Sequence, residues 1–154
     1  GMLRMNAVQV SPLFEGRMFV YRTGPDQYQA DPYAAFLVPP ARTLALSMAA
    51  HMRNAGVFQD VVEQGSRRAA DTLLEVEATE LYGDWRDQAK PVAVLALKFQ
   101  WFTDGTAQPK LLLQKEYTQR VALPERTAVA LAAGWNQALA EIMRTAMADV
   151  AAVR

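Results

Sequence analysis

The side chains able to do chemistry in this sequence are few and poorly placed for it. His51 is the only histidine, so an imidazole acid/base pair or a histidine metal site would need unlike partners. A catalytic imidazole also needs an orienting group and a nucleophile, and the sequence sets neither beside it. Close to the end of a helix, its partial positive charge suits the helix C-terminus instead. Glu75 and Glu77 come nearest to a carboxylate pair. They share one strand face with Thr79 while Leu74, Val76 and Ala78 take the other. No apolar pocket is implied that would raise either pKa, and a charged outer face discourages aggregation of a sheet. Asp84 and Asp87 read the same way. There is no cysteine, hence no disulfide, thiolate nucleophile or thiolate metal ligand. No phosphate-cradling glycine loop, Gly-x-Ser-x-Gly elbow or His-Glu-x-x-His helix appears. The sequence thus offers no catalytic, cofactor-binding or metal residues, and it reads as a protein that is not an enzyme.

With catalysis set aside, bulk properties narrow the partners. A chain of 154 residues reads as one domain, 1–154, and a domain of that size buries roughly 68–70% of its unfolded surface. Hydrophobic residues make up 51% and charged residues 21%, which excludes disorder. Sixteen basic and sixteen acidic side chains leave a formal charge of zero. That removes the electrostatic footprint expected of a nucleic-acid binder or of a protein held to an anionic membrane by charge. Arg67-Arg68 is the only adjacent basic pair and reads as solvated surface. No apolar stretch approaches the roughly 20 residues of a membrane-spanning helix. Gly1-Met2 reads as a cleavage scar ahead of an internal start, which implies a leader that has been removed.

The elements follow from periodicity and turn residues. Residues 3–10 predict a first strand, ended by Ser11-Pro12. Arg17 to Thr23 alternates as a second strand, broken by Gly24-Pro25 and expected to neighbour the first. Residues 23–40 form a long connection with Pro25, Pro32, Pro39 and Pro40, with room for a short strand around Tyr28. Pro40 suits the first turn of a helix carrying Ala41, Leu44, Ala45, Met48, Met52 and Ala55 at helical spacing, and Gly56 supplies the stop. A short strand over Val57 to Val62 and a polar loop from Gln64 to Asp71 come next. Leu73 to Asp84, Val92 to Phe102 and Leu111 to Leu123 then predict a long antiparallel meander of strands about 36–43 Å each. The segment from Pro124 to about Ala152 places Leu131, Trp135, Ala138, Leu139, Ile142, Ala146 and Val150 on one stripe of a helix about 42 Å long. One long helix can cover one long sheet. The expected fold is α+β: a mixed, mostly antiparallel sheet with a three-strand meander and two helices packed on one face.

Two apolar features ask for a partner. The strand Val92 to Phe102 is apolar on both faces, as a central strand or one meeting a second protein would be. The connection carrying Tyr28, Tyr33, Phe36 and Leu37, together with Trp85 at a predicted turn, has the aromatic and aliphatic makeup of an interface centre. The same side chains could instead plug the end of the sheet.

Several short motifs resemble the ABC-type transport auxiliary lipoprotein family: Phe19-Val20-Tyr21-Arg22, Asp31-Pro32-Tyr33, Pro39-Pro40, Gly56-Val57-Phe58, Glu80-Leu81-Tyr82 and the Ala-rich closing helix. The likeness runs nearly the length of the chain, and its first half carries the specific part. It implies a periplasmic domain anchored at the outer membrane by a lipidated N-terminal cysteine, accompanying an MCE-family protein in a system that moves lipids or other hydrophobic compounds. It brings no catalytic residues. The sequence lacks the lipobox and its cysteine. On this reading the domain docks an envelope-spanning assembly through Tyr28, Tyr33, Phe36, Leu37 and Trp85, needs no cofactor or nucleic acid, and meets a membrane only through its lipid; a homo-oligomer stays open. The alternative is direct carriage of a lipid in a groove between sheet and helices, with Met48, Met52, Met143 and Met147 as an adaptable wall.

Overall fold

Three long strands set the dimensions of the molecule. The computed structural model describes all 154 residues. Numbered in chain order, the strands are β1 (Met2–Met5), β2 (Gln9–Val10), β3 (Met18–Gly24), β4 (Gln27–Ala35), β5 (Asp60–Glu63), β6 (Thr72–Asp84), β7 (Val92–Thr103) and β8 (Leu111–Ala122). Helix α1 (Pro40–Ala55) lies between β4 and β5, and α2 (Ala128–Val153) closes the chain. All eight strands belong to one mixed sheet. β6, β7 and β8 form the expected antiparallel meander. Their alternating β-branched and aromatic residues bury one face while turn residues interrupt the run at each end.

The other edge of β6 departs from the sequence-based expectation. The strand expected over residues 3–10 is two pieces, β1 and β2, separated where the Asn6 N–H donates to the Leu74 carbonyl at 3.0 Å. β3 does not lie beside β1. Instead β1, β2 and β3 pair in succession with residues 72–74, 77–78 and 83–84 of β6, all in parallel, so they run in line along one edge. β5 flanks β1 in parallel and is shorter than expected, beginning at Asp60 rather than Val57. β4, nine residues long, replaces most of the expected irregular connection and pairs antiparallel with β3.

Both helices cover one face of this sheet. α1 opens on Pro40, with Pro39 in the capping position, and Gly56 closes it in the left-handed conformation at φ 72°. Its Leu44, Met48 and Met52 recur every four residues and are buried. α2 starts at Ala128, later than expected, because Thr127 rather than Pro124 caps it: the Thr127 hydroxyl accepts the Ala130 N–H at 3.2 Å. α2 packs on β7 and β8, and α1 on α2, β5 and β2. Beneath them Ala93, Leu95, Leu97, Phe99 and Trp101 of β7 are all fully buried.

A bulge at Thr79 shifts the alternation of β6, so that Leu74, Val76 and Ala78 point to the helices before it and Leu81 after it. Tyr82 therefore faces outward with its cross-strand neighbour Val94. Phe14 and Tyr28 each pack on the Tyr82 ring at 5.6 Å. The protein's own loop and hairpin thus cover this end of the second apolar face, while Lys98 and Gln100 keep the other end polar.

A candidate docking surface beside an apolar slot

The five residues singled out for partner contact divide into two groups. Tyr28, Phe36 and Trp85 turn inward. Tyr28 packs edge-on against Phe14 and Tyr82. Phe36 stacks on Trp135 at 5.5 Å and lies 4.8 Å from Phe19. Trp85 is 8% exposed and stacks on Tyr21 at 4.6 Å. Its indole lies flat across Gly83, where a β-carbon would come within 2.3 Å of the ring; only glycine permits that approach. Tyr33 and Leu37, by contrast, are 96% and 92% exposed.

The sequence around Tyr33 builds a fixed mount for it. Between the pairs Met18–Ala35 and Val20–Ala30, four residues of β4, Asp31 to Ala34, oppose the single residue Phe19. Pro32 cannot donate to a ladder, so the strand bows outward here. Asp31 closes the bow from within: its Oδ1 accepts the N–H groups of Tyr33 at 2.8 Å and Ala34 at 3.2 Å, and its Oδ2 accepts the Tyr21 hydroxyl. The hydroxyl bond to Tyr21, reinforced by the two backbone bonds, holds the Asp31 carboxyl below its usual range. Arg17 fixes the next segment by donating to the carbonyls of Phe36 at 3.1 Å and Leu37 at 2.7 Å. Two apolar side chains thus stand in solvent on a backbone that is hydrogen-bonded from beneath.

Next to this mount an apolar slot of about 170 Å³ opens between α1 and α2. Phe19, Leu81 and Leu95 come from the sheet, Phe36 from the end of the hairpin, and Leu44, Trp135 and Leu139 from the helices, with Thr43, Ser47 and Asn136 as polar groups among the lining. The methionines do not line it. Met48, Met52, Met143 and Met147 are between 0% and 4% exposed and belong to the core. Sequence reading missed the slot because its lining comes from five elements, and no local spacing encodes that convergence.

No three His, Asp or Glu side chains converge as a metal site would need, and His51 lines a shallow surface cleft together with Asn54, Ala55, Val57 and residues of α2. Asp84, read from sequence as an outer-face carboxylate, is instead 5% exposed and bonded to Arg86 and Arg120. Its one local signal was Arg86, two residues on and able to reach the same side of the strand.

No helix is long and apolar enough to cross a membrane. No curated protein matches the sequence. Among solved structures, protein XCC0632 from Xanthomonas campestris superposes with a TM-score of 0.83 at 16% identity, over 95% of this chain and 81% of its own. A dodecamer of PelC from Paraburkholderia phytofirmans gives 0.51 at 13%, over 92% and 82%. Lipoprotein GNA1162 from Neisseria meningitidis gives 0.50 at 13%, over 94% and 99%. At such identities the likeness is one of fold. The family model described as the ABC-type transport auxiliary lipoprotein component reaches further, matching residues 1–146. On that match, which takes in every strand, α1 and most of α2, the chain belongs to the ABC-type transport auxiliary lipoprotein family.

Proposed function

We propose that this chain is a non-catalytic accessory component of a transport system for lipids or other hydrophobic compounds. It is tethered at the outer membrane through a lipid on its N-terminal side and docks an MCE-family protein that spans the envelope. The observation that carries the docking role is the pair Tyr33 and Leu37, held out on the Asp31 bulge and the Arg17-bound segment. Exposed aromatic and aliphatic groups on a rigid mount gain contact area at small entropic cost, which is how interface centres are built. Membership of the auxiliary lipoprotein family supports the tether and the transport setting, and the dodecameric PelC neighbour is consistent with assembly of like subunits.

The test is co-purification with the cognate MCE protein. Replacing Tyr33 and Leu37 together with serine is expected to lower capture at least tenfold, about 1.4 kcal/mol or more, as loss of interface anchors does. The thermal midpoint should stay within about 3 °C of the parent, because neither side chain is packed against the fold. Full capture by a folded double variant would refute this surface.

The apolar slot favours a second reading, direct carriage of a ligand. Its volume of about 170 Å³ has room for an aromatic ring or a short length of acyl chain, and mostly apolar walls with a few polar groups are what small-molecule sites are built from. Native mass spectrometry of the protein purified from membranes is expected to show a bound apolar molecule if carriage operates. An empty protein that still captures its partner supports docking alone.

A further inference from the structure

The end of β6 farthest from Gly1 carries a charged cluster that the docking surface leaves unused. Asp84 ends the strand with its side chain 6% exposed. Arg86 returns to it with two parallel bonds, Nε to Oδ1 at 2.9 Å and Nη2 to Oδ2 at 2.7 Å. From β8, Arg120 donates Nη2 to the same Oδ2 at 2.9 Å. One buried carboxylate therefore holds two guanidiniums, and these remain 40% and 48% exposed. Each guanidinium has five N–H donors, most of them unspent here. They open on a broad surface pocket of about 430 Å³ whose lining adds Lys90 and Asp87. Three cations thus face it against two carboxylates, in a chain of zero net charge.

We propose that this pocket is a carboxylate-binding site for an acidic segment of a protein partner. Two fixed guanidiniums match the geometry of a carboxylate better than single ammonium groups do. Asp84 has already ordered the two long side chains, so an incoming anion is spared most of the entropy that free arginines would lose on binding. The choice of a protein over the bilayer rests on the tether in the proposed function. β1 begins beside Thr72, and the thirteen residues of β6 put Asp84 about 40 Å away at the far end of the strand. That separation is several times the roughly 8 Å over which membrane charge is felt at physiological salt.

The experiment titrates the 154-residue chain at low salt with a tetraglutamate peptide, with inorganic phosphate and with vesicles containing phosphatidylglycerol, reading the Nε–H resonances of Arg86 and Arg120. Saturable shifts with tetraglutamate are expected, at a lower Kd than for phosphate or vesicles. The neutral triad Asp84→Asn, Arg86→Gln, Arg120→Gln, read by calorimetry, should weaken the peptide about tenfold or more, whereas Arg144→Gln on the exposed side of α2 should change nothing. Lys90→Glu, which touches none of the Asp84 bonds, should weaken it about threefold and decides the matter if the triad fails to fold. Absence of saturable shifts, or binding undiminished by these substitutions, would overturn the site. Tighter pocket-dependent binding of phosphate or vesicles would overturn its assignment to a protein partner. Because the titrated chain carries no lipid, failure here counts against the pocket alone, and the docking reading is judged by its own capture assay.

Discussion

Replacing Trp135 with alanine is expected to cost about 3–5 kcal/mol of unfolding free energy, the range for removing a buried tryptophan. The side chain is 6% exposed and sits where α2, the β3–β4 hairpin and the centre of the sheet meet. Phe19 meets it edge-on at 4.9 Å and Phe36 stacks on it at 5.5 Å. Its indole N–H is shared between the carbonyls of Tyr82 at 3.3 Å and Val94 at 3.2 Å, on two neighbouring strands. Alanine would leave a cavity continuous with the slot and would detach the first turns of α2 from β6 and β7. Trp135→Phe keeps most of the ring but loses the donor, and should cost about 1–2 kcal/mol. Urea unfolding of both variants measures the difference, with a drop in thermal midpoint of about 6–20 °C for alanine. A loss below about 1.5 kcal/mol for alanine would mean that the neighbouring aromatic rings collapse into the vacated space.

The sequence displayed the meander and both helices because each carries its own periodicity. In β7 the apolar run from Val92 to Leu97, continued on one face by Phe99 and Trp101, marks a central strand without help from any other element, and in α1 Pro40 and Gly56 mark both ends. The edge built from β1, β2 and β3 was not legible in the same way. Alternation tells which face of a strand is buried, but it is silent on which neighbour it pairs with and in which direction. Three short strands laid end to end along β6 have the same pattern as one strand beside another. β4 was obscured by Pro32 and by the four-residue bow, which break the period of two.

For the candidate site, the aromatic connection was recognisable by composition, and orientation was not. Tyr28, Tyr33, Phe36 and Trp85 are equally suited to a plug or to an interface. What separates them is long-range: Phe36 finds Trp135, Trp85 finds the bare backbone of Gly83, and Asp31 turns Tyr33 away from both. The same reason hid the charged pocket, since Arg120 lies 36 residues from the carboxylate it holds. Groups that converge from separate elements leave no local spacing to read.

That convergence makes the removal of Arg86 and Arg120 a sharper perturbation than the removal of Asp84. With Arg86→Met and Arg120→Met combined, Asp84 keeps only the Arg86 backbone N–H at 3.2 Å while its side chain remains buried. An uncompensated buried charge of this kind costs about 3–5 kcal/mol. Asp84→Asn should cost less, because the two guanidiniums are already partly in water and can complete their hydration. The pH dependence separates the two explanations. In the parent protein the guanidinium of Arg86, aided by Arg120, holds the Asp84 carboxyl far below its ordinary value, and burial opposes this only in part. A depressed carboxyl pKa contributes stability that is fully present above the unfolded value of about 3.9 and is lost as pH falls toward the folded one. In the double-methionine variant burial outweighs the one remaining backbone bond and raises the pKa, so protonation relieves the strain and the carboxyl favours folding more as pH falls. The two stability curves should therefore be widely separated at neutral pH, draw closer as the variant's carboxyl protonates, and close the rest of the gap only well below about pH 4, where the parent's Asp84 protonates in turn; urea unfolding at pH 7 and pH 3.5 would measure the first narrowing. A gap that stays constant across that range would show that Asp84 contributes by packing rather than by charge.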